Sequence, residues 1–269
     1  PKFKKDGDLS KSGLTSEEYA NALESVVVKN CTGNIYIRGF CVDGGSQGSM
    51  ITGSPTQRTS VGFDIQNSEV LLENCAATRC KDAGVEINNS KVILNRGFIA
   101  YRNYELSSDG SVRNTNKNTP GLRAINSEVT LSSNVVSSVG GTGAGHGGAR
   151  FRQGDAVGFP IDSPFCFVMN TDGIQLYNST LNSQKSSRGT PTVNGLGGIP
   201  AKGRDVLVLQ AFLNTNRGIY SKDSIIDFDN RISCFQNKIG TELESSEASL
   251  AEFSYDHNAD EGLLANNSF

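Results

Sequence analysis

Apolar and polar residues alternate in short stretches along most of this chain, and the stretches share one pattern. Each begins with a glycine, has apolar residues one and three positions later, and ends in a polar turn, as in residues 84–90 (GVEINNS). The same Gly-to-Ser heptad recurs at residues 62–68, 121–127, 173–179, 218–224, 240–246 and 262–268. Alternation with a period of two predicts a strand with one buried face.

The spacing of the heptads indicates a repeat of 22 residues, since 22 separates the glycines at 62 and 84, 218 and 240, and 240 and 262. After each heptad, apolar residues resume at alternate positions, as at Val92 and Leu94, and a shorter apolar group follows, as at residues 98–101. Three short strands per repeat, parallel between repeats, predict an all-β fold. The fold is a single-stranded, right-handed parallel β-helix of about nine coils over residues 25–269.

The sixth position of the heptad is a turn position, held mostly by asparagine. Its occupants are Asn30, Asn67, Asn89, Asn126, Asn178, Asp223, Ser245 and Asn267. Asparagine tolerates the left-handed backbone that a sharp bend requires. Stacked about 4.8 Å apart, these amides are expected to hydrogen-bond between coils and to fix the register.

Residues 15–25 (TSEEYANALES) are the one helical stretch, and Thr15 with Glu18 makes a capping box. A helix here would cover the first coil, or would belong to an upstream domain. The predicted organisation is therefore an N-terminal segment over 1–24 and a β-helix domain over 25–269. The chain starts without Met and ends inside a heptad, so we expect a fragment of a longer protein.

Longer spacings between heptads predict excursions from the stack at residues 44–59, 105–119, 140–147 and 184–203. The interval from 121 to 173 is expected to hide one further coil at residues 148–154 (GARFRQG). Three excursions are expected to leave between the third strand and the next glycine, and hence to emerge along one edge. Insertions aligned on a rigid scaffold are where binding usually takes place.

Composition narrows the possible partners. The formal net charge of -3 argues against a nucleic acid bound mainly through its phosphates, and no apolar run is long enough to span a membrane. The six cysteines lack paired CxxC spacing, which favours buried free thiols. His146 and His257 lie far apart without a cluster of metal-ligand spacing, so we expect no metal site and no cofactor.

The pattern G-h-x-h-x-N-S with a 22-residue unit resembles the right-handed parallel β-helix superfamily, which includes pectate lyases, polygalacturonases and the tailspike and adhesion proteins of bacteriophages. The resemblance covers residues 25–268. Coils in which Asn, Ser and Gly predominate look most like those of a tailspike or tail-fibre component. This resemblance implies an extracellular virion protein that binds host cell-surface polysaccharide, as a homotrimer or as part of a larger virion assembly.

Two groups of residues are candidates for catalysis. Residues 170–174 (NTDGI) are similar to the polygalacturonase signature in which the Asp is a catalytic carboxylate, here Asp172. The Asp pair, GHG and RIK-like elements that should follow are missing, so a turn that enters a coil is the alternative.

The second group stands two residues after each glycine. It comprises Asp64, Glu86, Arg123, Arg150, Gln175, Tyr220, Glu242 and Leu264. Asp64 and Glu86 would lie about 5 Å apart in adjacent strands, where a cleft would make them an acid and nucleophile pair beside Arg123. A solvated charge ladder is the alternative.

Candidate carbohydrate-binding residues are the cations and tyrosines on loops and outer strand faces. They are Arg58, Arg102, Tyr104, Arg113, His146, Arg150, Tyr177 and Tyr220. The first hypothesis is a non-enzymatic adhesion segment of a tail fibre or tailspike that binds host surface carbohydrate through the aligned loops. The second is a polysaccharide hydrolase or lyase on the same scaffold, and the third is a bacterial surface adhesin. The absence of Trp weighs slightly against an enzyme, because sugar subsites commonly use aromatic platforms.

Overall fold

The computed structural model describes residues 24–44, 61–103, 119–132, 165–183 and 208–269. Within these ranges the chain forms eighteen strands and no helix, and every strand pairing is parallel. The protein is therefore all-β, and its stack of parallel strands is compatible with a β-helix.

The strands in chain order are β1 (Glu24–Lys29), β2 (Ile35–Arg38), β3 (Cys41–Asp43), β4 (Val61–Gln66), β5 (Glu69–Thr78), β6 (Ala83–Asn88), β7 (Lys91–Tyr101), β8 (Pro120–Ile125), β9 (Glu128–Ser132), β10 (Phe165–Val168), β11 (Asp172–Tyr177), β12 (Thr180–Ser183), β13 (Val208–Phe212), β14 (Arg217–Lys222), β15 (Ile225–Phe235), β16 (Ile239–Glu244), β17 (Glu247–Asp256) and β18 (Glu261–Asn266). The last two residues of the predicted helix, Glu24 and Ser25, belong to β1. The rest of that helix lies outside the described residues.

The strands form two sheets. The first sheet contains the heptad strands in the order β1-β4-β6-β8-β11-β14-β16-β18, and the other ten strands form the second sheet. In the first sheet Phe63 lies opposite Val85, and Val85 lies opposite Leu122. The heptads therefore stack in the register that their sequences predict.

The predicted second and third strands of a coil belong to the same sheet. In β5 they are continuous, and the strand changes register between Glu73 and Cys75, where Asn74 has a φ of 50°. β15 has a similar shift between Phe228 and Arg231. Each full coil thus has three strand segments, of which two are joined in β5, β7, β15 and β17.

The core is made by the inward positions of both sheets. Phe63, Ile65, Val85 and Ile87 of the first sheet are fully buried, and they belong to one cluster with residues of the second sheet such as Phe98. Phe98 lies edge-on to Phe63, with ring centroids 6.0 Å apart. The period-2 pattern of the heptads is therefore confirmed as the inward and outward alternation of a half-buried strand.

The heptad turns have the predicted left-handed backbone. All eight residues at the sixth position have φ between 47° and 56°. At two pairs of these heptad turns the amide side chains are bonded to each other: Asn67 Nδ2 donates to Asn30 Oδ1 at 2.8 Å, and Asn178 Nδ2 donates to Asn126 Oδ1 at 2.9 Å.

The serine that ends each heptad makes a continuous ladder. Ser68 N–H donates to Ser90 Oγ, and Ser90 N–H donates to Ser127 Oγ, each at 3.1 Å. The same bond joins every later pair of heptads as far as Ser246 and Ser268. Each hydroxyl satisfies a backbone donor at a bend, where a buried N–H would otherwise lack a partner.

A second asparagine ladder lies at the turns before the last five heptads, and all of its members except Asn258 are buried. Its members are Asn103, Asn170, Asn214, Asn237 and Asn258. The backbone N–H of Asn170 donates to Asn214 Oδ1 at 3.0 Å, and Asn170 Nδ2 donates to the Ala100 carbonyl at 3.2 Å. Asn103 and Asn170 are fully buried, so these bonds replace water inside the stack.

The described strands that flank the four predicted excursions lie at two different places in a coil, which corrects the predicted single edge. Residues 45–60 and 104–118 follow the third strand segment of a coil, whereas residues 133–164 and 184–207 connect the second segment to the third. Two excursions, not three, thus precede a heptad glycine.

The predicted coil at residues 148–154 does not lie between β8 and β11. Leu122 pairs directly with Ile174 and Arg123 directly with Gln175, which leaves no strand between them. The predicted place of Arg150 in this column is therefore wrong, and Arg150 itself lies outside the described residues.

All six cysteines are free, and Cys75, Cys80, Cys166 and Cys234 are buried as predicted, whereas Cys41 is exposed. Burial raises the pKa of the Cys234 thiol to about 12, despite a weak interaction with Thr241. Among the described residues, no helix of a length and hydropathy suited to crossing a membrane was found.

Candidate functional site

The outer face of the first sheet gathers most of the predicted catalytic residues. Two positions after each glycine, neighbouring strands place Asp64, Glu86, Arg123, Gln175, Tyr220, Glu242 and Leu264 opposite one another in that order. Their neighbours in sequence, such as Phe63 and Ile65, point into the core. The column therefore lies on the side of the sheet that faces away from the core.

Asp172 is the most strongly held residue of this face. Its side chain is fully buried, and its Oδ1 accepts the backbone N–H of Arg217 at 2.9 Å and Arg217 Nε at 3.1 Å. Its Oδ2 accepts Arg217 Nη2 at 2.8 Å and Gln175 Nε2 at 2.6 Å. With four donors on two oxygens, the carboxylate has no free lone pair with which to accept a proton from a substrate.

Arg217 connects Asp172 to the next coils. Its Nη1 donates to Glu242 Oε2 at 3.0 Å, and its guanidinium lies 3.9 Å from the centroid of the Tyr220 ring. Burial disfavours the charged form of Arg217, but its bonds to Asp172 and Glu242 outweigh this effect and raise its pKa. The guanidinium is therefore a permanent cation between two carboxylates and an aromatic face.

Gln175 extends the network toward the earlier coils. Its Oε1 accepts Arg123 Nε at 3.1 Å, and Arg123 Nη1 lies 3.5 Å from Glu86 Oε2. Glu86 and Arg123 are each about one-quarter exposed. A continuous chain of contacts thus runs from Glu86 through Arg123, Gln175 and Asp172 to Arg217, and it brings three of the four predicted catalytic residues together.

Asp64, the fourth predicted catalytic residue, lies opposite Glu86 in register. Its Oδ2 lies 2.7 Å from Lys29 Nζ, and both of its oxygens accept Gln66 Nε2, at 3.0 and 3.1 Å. Asp64 and Glu86 are thus adjacent, as expected, but a different cation accompanies each.

Two predicted binding residues, Tyr177 and Tyr220, lie at the other end of this face. Their rings meet edge-on with centroids 5.6 Å apart. Tyr220 OH donates to Glu244 Oε2 at 2.7 Å, and burial together with this bond raises the pKa of Tyr220. Hydrogen bonds from Lys222 and Tyr220 lower the pKa of Glu244.

Of the remaining predicted binding residues, Arg102 lies within the described ranges. Arg102 lies at a turn of the second sheet, where its guanidinium is 5.0 Å from the centroid of the Tyr101 ring. The others, Arg58, Tyr104, Arg113, His146 and Arg150, lie outside the described residues.

A polar groove of about 780 Å³ follows the heptad turns beside this face. Exposed amides of Asn67, Asn89, Asn126 and Asn178 line it. Tyr177 directly precedes Asn178, so the aromatic end of the first-sheet face adjoins the groove. Amides and hydroxyl-rich ligands are matched in hydrogen-bonding capacity, because both carry donors and acceptors.

Arg217 is the functional candidate that the sequence patterns missed. It directly precedes Gly218, just as Asp172 directly precedes Gly173, and the two residues are aligned in adjacent strands. The position before each heptad glycine carries the signal, since it holds Asp172 in one heptad and Arg217 in the next. Opposite charges at that position in consecutive heptads indicate a cross-strand pair.

In the part of the chain that the structure describes, no three His, Cys, Asp or Glu side chains form a group suited to a metal ion. The chain matches no protein-family model, no curated protein and no solved structure.

Proposed function

We propose that the chain is a right-handed parallel β-helix that binds a polysaccharide through the outer face of its first sheet and the adjoining groove. One observation carries this proposal. The carboxylates that were candidates for catalysis on this face are engaged by cations, Asp172 by Arg217, Glu86 by Arg123 and Asp64 by Lys29. Asp64 and Asp172 are buried, whereas Glu86, Arg123 and Tyr177 of this face are partly exposed. Partly exposed side chains that are already held in place suit the binding of hydroxyl groups, because they lose little freedom when the ligand binds.

The biological setting rests on the sequence resemblance. We propose an extracellular segment of a tailspike or tail fibre, as a homotrimer or as part of a larger virion assembly, with host cell-surface polysaccharide as the ligand. A bacterial surface adhesin would use the same face in the same way.

Affinity electrophoresis against a panel of bacterial surface polysaccharides tests the binding role. We expect at least one polysaccharide to retard the chain, and Tyr177→Ala to weaken that binding about tenfold because a sugar ring loses its aromatic platform. Tyr177→Phe keeps the ring and is the matched control. Unchanged binding by Tyr177→Ala would exclude this face, and no retardation across the panel would exclude the function.

Cleavage of a polysaccharide by hydrolysis or by a lyase reaction is the second candidate function. The direct cross-strand pairing of Asp64 and Glu86 favours it. Retaining glycosidases use two carboxyl groups about 5 to 5.5 Å apart. Incubation with the same panel would release new reducing ends or unsaturated uronides, and Glu86→Gln would abolish their release. Bound polysaccharide that stays intact favours the adhesion role.

A further inference from the structure

Glu73 is a buried carboxylate on the second sheet, away from the face described above. Its side chain is 2% exposed, yet two of its partners, Tyr36 and Arg38, lie on strand β2. Glu73 Oε2 accepts Tyr36 OH at 2.7 Å, and Glu73 Oε1 lies 3.3 Å from Arg38 Nε. Asn95 Nδ2 lies 3.4 Å from the same Oε2. The buried charge is thereby matched to a cation and to hydroxyl and amide donors, as a buried ion requires.

Tyr36 and Arg38 are two positions apart in β2, so their side chains project from the same side of the strand, about 7 Å apart. Tyr36 is 54% exposed and the Arg38 side chain is 60% exposed. Glu73 engages Arg38 through Nε, which is one of the five N–H donors of a guanidinium. Burial and the bond to Glu73 raise the pKa of Tyr36, so its hydroxyl remains a donor to the carboxylate.

An exposed aromatic ring beside an exposed guanidinium can contact two parts of one ligand. The ring offers a flat apolar surface for a sugar ring, and the guanidinium fork matches a carboxylate. We propose that Tyr36 and Arg38 form a binding site for an acidic sugar residue, with Glu73 as the positioning residue that holds both side chains. Side chains held before binding lose less entropy when the ligand arrives.

This inference rests on the proposed carbohydrate-binding function, and it adds a second surface and the charge of the ligand. Isothermal titration of the 269-residue chain with a galacturonic acid tetramer and with the corresponding galactose tetramer tests it. We expect the acidic tetramer to bind about tenfold more tightly, because only it can form a charge-assisted pair with Arg38.

Three variants assign the effect to this site. Arg38→Gln should remove the preference for the acidic tetramer, whereas Arg231→Gln, which alters another exposed arginine of the second sheet, should keep it. Tyr36→Phe retains the ring but loses the bond to Glu73. It should weaken the binding of both tetramers and leave their ratio unchanged, which separates the positioning role of Glu73 from the charge effect of Arg38.

Equal affinity for the two tetramers, or a preference that survives Arg38→Gln with an unchanged melting temperature, would overturn the inference. So would the absence of acidic-tetramer binding by the wild-type chain. The first-sheet proposal is tested separately by Tyr177→Ala, which should leave the acidic preference at Arg38 intact. Loss of that preference in Tyr177→Ala alone would assign the preference to the first-sheet face and likewise overturn the inference.

Discussion

The position that begins each heptad requires glycine, because the neighbouring coil lies too close for a side chain. A Cβ on Gly84 would lie 2.5 Å from the carbonyl oxygen of Gly121 and 2.9 Å from Asn103 Nδ2. Neither the backbone nor the buried amide can move without breaking bonds between coils. The heptad glycine and the buried asparagine ladder are therefore complementary features of one turn.

Gly84→Ala should lower the free energy of unfolding by about 1–3 kcal/mol, the usual cost of an overpacked interior. Gly33→Ala is the matched control, because a Cβ on Gly33 would meet nothing within 4 Å. We expect that control to change stability by no more than about 0.5 kcal/mol. Urea denaturation of the two variants measures both values, and equal stabilities would contradict the close-contact explanation.

The ion pair between Asp172 and Arg217 is a second determinant at the residue scale. The side chains of Asp172 and Arg217 are 0% and 10% exposed. Arg217→Met would leave a buried carboxylate without its cation, which costs about 3–5 kcal/mol. We expect this loss in chemical denaturation.

The matched control for Arg217→Met is Lys222→Met, which breaks the exposed pair with Glu244. We expect its melting temperature to equal that of the wild type, because surface ion pairs contribute little. Combining Arg217→Met with Asp172→Asn should recover part of the loss, since the buried charge is then gone. A stable Arg217→Met single variant would show that Asp172 is reached by water.

At the scale of the element, the two asparagine ladders differ in their role. Asn214 Oδ1 accepts the backbone N–H of Asn170, and Asn214 Nδ2 donates to the Phe167 carbonyl at 3.1 Å. Asn89 is exposed at the surface groove. The buried ladder satisfies backbone groups that water cannot reach, whereas the exposed position mainly supplies a left-handed turn.

Asn214→Ala should therefore destabilise the protein more than Asn89→Ala. We expect a loss of about 2–4 kcal/mol for Asn214→Ala, from two buried backbone groups left without partners. For Asn89→Ala we expect about 1 kcal/mol, the cost of a left-handed alanine. Thermal and urea unfolding of both variants compare the two ladders, and a larger loss for Asn89→Ala would reverse their assigned roles.

The elements that the sequence predicted best are those set by local chemistry. The period of Phe63 and Ile65 and the left-handed turn at Asn67 follow from residues within one heptad. The predicted coil at residues 148–154 failed because a Gly and alternating residues do not reveal whether a strand joins the stack. That depends on pairing between distant residues, and here Arg123 pairs with Gln175.

The candidate site was predicted in part for the same reason. The column of Asp64, Glu86 and Arg123 follows from the repeat register alone. The bonds between Arg217 and Asp172 do not follow from the repeat register, because Arg217 is 45 residues away and donates from both its backbone and its guanidinium. A motif such as NTDGI identifies a carboxylate but not the donors that saturate it.

At the scale of the whole molecule, the inner strands of the first sheet are each stabilised by the strands on either side, whereas β1 and β18 stand at its ends. β11 pairs with both β8 and β14, whereas β18 pairs only with β16 among the described strands. Leu263 of β18 stands at an inward position of its heptad and is nevertheless 48% exposed. Because each coil contacts only its neighbours, we expect β18 to open locally more readily than β11.

Hydrogen exchange of the 269-residue chain, followed by mass spectrometry, tests this expectation. Amides of β11 should exchange only through near-global unfolding, and those of β18 at least about tenfold faster through local opening. Arg217→Met should accelerate exchange in β11 and β14 more than in β1, because its effect passes from coil to coil. Uniform acceleration in all strands would instead show that the two sheets unfold as one cooperative unit.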